Sequence, residues 1–115
     1  MKDCLFCKIA AKEIDSKIVY ENDYVLAFND IKPEAPVHVL VIPKIHIQDL
    51  NNVSDENIKY VSEVIKAIKE VAKITDIEED GYRVISNVGE NGGQVIPHLH
   101  FHVIGGKHLG AKIVK

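Results

Sequence analysis

The sequence lacks any apolar run long enough to cross a bilayer. Its longest uncharged apolar stretch, around Val37 to Pro43, falls far short of the ~20 residues a membrane helix needs. Nothing of signal-peptide character follows Met1-Lys2-Asp3-Cys4, so a cytoplasmic protein without a membrane partner is expected. Basic clusters are missing as well. The 14 basic and 17 acidic side chains are scattered and sum to −3, and without a run of cations to neutralise successive phosphates a nucleic-acid partner is disfavoured. Thiols are scarce, with Cys4 and Cys7 as the whole inventory; in a reducing compartment such a Cys-x-x-Cys pair reads as a metal site or redox pair rather than a structural disulfide. Repeats, low-complexity tracts and linkers are also missing. The breaks are short turns at Asn22-Asp23, Lys32-Pro33, Asp80-Gly81 and Asn91-Gly92-Gly93, so residues 1–115 are expected to form one domain.

What is present suits one compact core, because 115 residues at 46% apolar content can bury a single hydrophobic interior. A short helix is predicted from about Leu5 to Lys12, then strands at Lys17–Tyr20 and Tyr24–Phe28, whose β-branched and aromatic content brackets a turn. A third strand at His38–Ile42 is closed by Pro43, which cannot donate to a ladder. Ser54 is predicted to cap the one long helix, with Ile58, Val61, Ile65, Ile68 and Ala72 as its apolar stripe. Val64 and Val71 widen that stripe, and the surplus apolar surface suggests a homodimer. Strands at Tyr82–Val88 and Leu99–Ile104 complete an antiparallel α+β fold of about five strands with one long and one short N-terminal helix.

The chemistry concentrates in Pro97-His98-Leu99-His100-Phe101-His102-Val103. Three of six histidines alternate with large apolar residues. In extended backbone this period of two sends His98, His100 and His102 to one face and Leu99, Phe101 and Val103 to the core. Such a row can supply ligands to a catalytic zinc, or it can serve phosphoryl transfer, since neutral imidazole attacks phosphorus and titrates near pH ~6.5. Upstream, Asn87-Val88-Gly89-Glu90-Asn91-Gly92-Gly93-Gln94 is a glycine-rich loop whose amides can approach an anion closely, which favours the phosphate chemistry.

From Gly93 through Val103 the sequence resembles the signature of the histidine triad family, His-x-His-x-His flanked by apolar residues. The likeness extends to Cys4-Leu5-Phe6-Cys7-Lys8-Ile9, to Ala27-Phe28-Asn29-Asp30-Ile31 with Pro33 and Ala35-Pro36-Val37-His38, and to Val41-Ile42-Pro43-Lys44 with His46. Gly105-Gly106 is similar to the Hint branch, whose members hydrolyse nucleoside phosphoramidates. The resemblance implies a fold of that family and a purine nucleotide substrate of the AMP type. It implies that His100 is the nucleophile forming a nucleotidyl-histidine intermediate, that His102 contacts the phosphate, and that His38 is a fourth active-site histidine. Asp30 and Ile31 would meet the ribose and base, Phe6 and Phe28 would help form the base pocket, and Asn87 with Gly93, Gln94 and Val95 would face the phosphate and its leaving partner. Val95 departs from the pattern, which commonly has a hydroxyl residue there; the C-terminal segment also lacks the tryptophan of eukaryotic relatives.

Cys4, Cys7, His46 and His98 would then make a Cys₂His₂ set, the four ligands of a closed structural zinc site, with no organic cofactor implied. Competing readings are a dinucleoside polyphosphate hydrolase of the same family, a zinc hydrolase that uses the triad as ligands, and a nucleotide-binding regulatory protein with little turnover.

Overall fold

A computed structural model describes residues 3–111. Five strands form one antiparallel sheet in the order β1-β2-β3-β5-β4: β1 Ile18–Glu21, β2 Val25–Asn29, β3 Val37–Pro43, β4 Tyr82–Ile85 and β5 Phe101–Gly105. Helix α1, Leu5–Ala10, covers one sheet face and helix α2, Ile58–Ile74, the other. The expected α+β architecture is therefore present.

The central strands explain themselves physically. β2 and β3 are apolar at successive positions rather than alternately, because each is covered on both sides. Val25, Ala27, Val39 and Val41 pack beneath α2 with Leu99, Phe101 and Val103, while Leu26, Phe28, Leu40 and Ile42 pack beneath α1 with Phe6 and Ile9. Each such side chain, taken out of water, contributes roughly 1.5–3 kcal/mol. At the end of β5, Gly106 adopts φ +89°, and a Cβ there would lie 3.0 Å from the Pro36 ring. Glycine is thus required where β5 leaves the sheet beside the β2–β3 connection.

Three sequence expectations are corrected. Ser54 does not cap α2 with its hydroxyl: the first cap position is Asn57, whose Oδ1 accepts the Ser54 amide at 2.8 Å, while the Ser54 carbonyl accepts the Ile58 amide. The long helix is also rotated relative to the predicted stripe. Val64, Ala67, Ile68, Val71 and Ala72 face the sheet, whereas Ile58 and Ile65 are half exposed. Val64 and Val71 are therefore core residues and leave no spare surface; the large apolar side chains that α2 does leave exposed are Ile58, Ile65 and Ile74. Finally, β5 begins at Phe101 and β4 ends at Ile85, so His98 and His100 sit in irregular chain just before the strand. Among the described residues no helix is long and apolar enough to cross a membrane.

Candidate active site

The predicted alternation holds through the end of that irregular chain into β5. Leu99, Phe101 and Val103 enter the core under α2, and His98, His100 and His102 project to the α1 side. There His98 is completely buried and His100 nearly so, with Phe6 edge-on to both rings at 6.0 and 5.0 Å between centroids.

Each imidazole has a partner that fixes its proton. His100 Nδ1 lies 2.7 Å from the His98 carbonyl oxygen. A carbonyl only accepts, so Nδ1 carries the hydrogen and the lone pair of His100 is on Nε2. The Glu34 amide donates to His38 Nδ1 at 3.0 Å, so His38 holds its hydrogen on Nε2 and donates it to His102 Nδ1 at 2.9 Å. His102 in turn keeps its own hydrogen on Nε2. The site thus offers an accepting Nε2 on His100 and a donating Nε2 on His102, with ring centroids 5.2 Å apart.

Electrostatics favour the neutral rings. Burial, then the neighbouring His100 and His38, pushes His102 down to about 4, against a smaller pull from Asp30. Burial also lowers His100, opposed by the His98 carbonyl and by Asp30. Charging either ring would place a cation in a poorly solvated cluster of like groups.

Asp30 stands beside this line. One carboxylate oxygen accepts the Lys32 amide at 2.8 Å, and the other is 3.5 Å from His38 Nε2. Here Asp30 is both the turn residue and a member of the histidine cluster. Together with Phe28, Ile31 and His38 it lines a cavity of about 840 Å³ whose other walls include Leu5, Ile9, Ile14 and Asp15 to Lys17. The latter residues were missed at the sequence level; Lys17 is read there only as the start of a strand, and only the proximity of residues 14–17 to β2 reveals them as a pocket wall. Ile31 is almost fully exposed at the rim, and Phe6 packs behind the wall against Phe28.

The glycine-rich loop is braced from within. Asn87 Nδ2 donates to the Gly92 carbonyl, and the Gly93 and Gln94 amides donate to Glu90 and Gly89. Gln94 accepts the Gly89 amide and donates to the Gln48 and Ile96 carbonyls. These amides are therefore already committed, and the Val95 side chain is exposed.

The fourth candidate group is separate. Sγ of Cys4 and Cys7 and Nδ1 of His46 and His98 all lie within 4.8 Å of one another. His98 Nε2 donates to the Pro43 carbonyl at 3.0 Å, which leaves Nδ1 unprotonated and directed at the sulfurs, 3.2 and 3.5 Å away. Such an orienting bond is usual for ligating imidazoles. Burial lowers His46 and drives His98 down to about 4, so both are neutral as ligands must be. Burial and the adjacent Cys4 thiol raise Cys7; two thiols this close ionise together only with a cation between them. The donor set and spacing fit a four-coordinate zinc. By contrast, the three triad rings do not converge. Asp30, His38 and His102 do cluster, but the His38 Nε2 hydrogen is given to His102 Nδ1 at 2.9 Å, so in this arrangement the two rings satisfy each other.

A family model described as HIT domain matches residues 11–109. The purine nucleoside phosphoramidase of Escherichia coli (strain K12) is 44% identical over 109 residues, covering 95% of this chain and 92% of its own length. Protein HitA of Neisseria gonorrhoeae is 41% identical over 105 residues, 91% of this chain and 97% of its own. Among solved structures, a HIT family hydrolase from Clostridium thermocellum matches with a TM-score of 0.95 at 44% identity over 99% of both chains. A histidine triad protein from Clostridium difficile matches at 0.93 with 46% identity over 98% of both. With the alternating histidines, the two-sided sheet and these near-complete matches in agreement, the chain belongs to the HIT domain family.

Proposed function

We propose that the chain is a nucleotide-binding hydrolase that cleaves purine nucleoside 5′-phosphoramidates and releases the nucleoside monophosphate. The observation that carries this reading is the His100 Nδ1 to His98 carbonyl bond, which leaves the lone pair of a neutral ring on Nε2, free to act as a nucleophile. The near-full-length likeness to a phosphoramidase supports the choice of bond.

In the first step His100 Nε2 attacks phosphorus, the P–N bond breaks, and the amine departs with a proton from solvent. The nucleotidyl-imidazolium so formed keeps its Nδ1 proton on the His98 carbonyl. Water then attacks phosphorus and gives up a proton to solvent, and the electron pair of the His–P bond returns to Nε2. His102 Nε2 donates to a phosphoryl oxygen in both steps and stabilises the charge that gathers there. His38 positions His102. Asp30 accepts the ribose hydroxyls, Phe28 and Ile31 flank the base, and Phe6 supports both Phe28 and His100 from behind. Asn87 and Gly93 to Val95 border the leaving group. Cys4, Cys7, His46 and His98 would hold a structural zinc that fastens α1 to the chain entering β5.

The test is release of AMP from adenosine 5′-phosphoramidate by the wild type and by His100→Asn. Release by the wild type alone is expected. Undiminished release by the variant, or none by the wild type, overturns the mechanism.

A further inference from the structure

The wall of the 840 Å³ cavity is mainly apolar at Leu5, Ile9, Ile14 and Phe28; apart from Asn29, Asp30 and His38, its polar part is the consecutive stretch Asp15-Ser16-Lys17. The Lys17 carbonyl accepts the Asn29 amide at 3.0 Å, and Ile18 pairs with Phe28. This stretch therefore enters β1 at the sheet edge, two strands from His38 on β3. His102 on β5, which would meet the phosphate, is one strand further, so with neighbouring strands ~4.8 Å apart about 14 Å separates its backbone from this stretch, and the His102 side chain covers part of that distance. A nucleotide with phosphorus at the histidines and ribose at Asp30 thus turns its base edge toward residues 15–17. Among the described residues, neither Asp15 nor Lys17 enters an ion pair.

We propose that Asp15 and Lys17 read the base edge and make the pocket select guanine over adenine. The inference rests on the nucleotide-binding reading above and adds the base. Guanine presents two donors, N1–H and the N2 amino group, beside the acceptor O6. A carboxylate accepts from both donors, and an ammonium donates to O6. Adenine presents an N1 lone pair to the same carboxylate, which repels it, and an N6 amino group to the ammonium, which cannot accept. Hypoxanthine keeps N1–H and O6 and lacks the N2 amino group, so it falls between the two.

The experiment compares kcat/KM for guanosine, inosine and adenosine 5′-phosphoramidates, and in parallel the Kd of GMP, IMP and AMP by calorimetry. The wild type is expected to rank guanine over hypoxanthine over adenine, with guanine about tenfold ahead of adenine, the modest value suited to an exposed carboxylate. Asp15→Asn, whose amide can donate to adenine N1 and can no longer accept from both guanine donors with a charge, narrows the preference severalfold. Lys17→Met weakens guanine and hypoxanthine together and spares adenine. Equal affinity for the three bases, or a preference unmoved by Asp15→Asn, overturns the proposal. Graded binding without turnover would refute the hydrolytic reading and leave the base selection standing; no binding of any nucleotide would refute both.

Discussion

Replacing His38 by leucine tests the positioning chain that runs from the Glu34 amide to His102. The histidine is 5% exposed and makes two hydrogen bonds, from Glu34 N–H at 3.0 Å and to His102 Nδ1 at 2.9 Å. Both partners are partly open to water, so each lost bond costs about 1 kcal/mol rather than a full burial penalty. The sum is about 2 kcal/mol, which at ~2.1 cal/mol/K of unfolding entropy per residue lowers Tm by roughly 8 °C for a chain of this size. The catalytic effect has a different origin. Without His38 the two neutral tautomers of His102 compete, and the one protonated on Nδ1 presents a lone pair to the phosphoryl oxygen. A fully lost charge-stabilising donor costs ~10²–10³ in kcat; a donor present part of the time and less well aimed costs less, so a ten- to hundredfold fall is expected. His38→Gln, with one amide donor and one acceptor, is expected to recover part of it. The assay is kcat on the phosphoramidate beside the Kd of AMP and the melting temperature. If His38→Leu keeps wild-type kcat, or loses activity only through a weaker Kd, the tautomer reasoning is wrong.

Other expectations are as direct. Chelation, or Cys7→Ser, should remove one zinc per chain by elemental analysis and lower the melting temperature, with AMP binding surviving below the new transition; a protein purified without zinc and indifferent to chelator would sink the metal assignment. Because His102 is held near 4 in the fold against ~6.5 in the unfolded chain, the unfolded state binds more protons between these values. Stability should therefore fall as pH drops from ~6.5 toward ~4, and kcat should follow an apparent pKa below that of ordinary histidine; a proton-linked loss of rate centred above ~6.5 would contradict the burial argument. On α2, Val64→Ala should destabilise by about 1.5–3 kcal/mol and Ile65→Ala by under ~1 kcal/mol, since Val64 is fully buried and Ile65 half exposed. Denaturant melts showing the reverse order would restore the helix phase read from the sequence.

The sheet, the long helix and the histidine row were legible because they rest on periodicity, which local sequence carries. Leu99, Phe101 and Val103 had only one place to go. The rotation of α2 was not legible, because Val61, Val64, Ile65 and Ile68 are equally apolar and only the curvature of the sheet beneath decides which three face it. Ser54 looked like a cap by residue type, yet the chain makes a turn through residues 55–57 before the helix settles. The loop at residues 87–94 announced its glycines but not that the amides of Gly89, Gly93 and Gln94 are engaged within it. The pocket wall at residues 14–17 was invisible for the simplest reason: a turn becomes a wall only when another strand passes beside it, and that is a property of register.

One feature of the histidine line bears on how the protein tolerates change. The acceptor that keeps the proton of His100 in place is a main-chain oxygen, that of His98. Every amino acid carries that oxygen, so no substitution at position 98 can delete it; substitution can only displace it. The identity of residue 98 is thus free to answer to the thiols of Cys4 and Cys7, while its backbone serves the neighbouring chemistry. Drift in one centre reaches the other only as a shift in position.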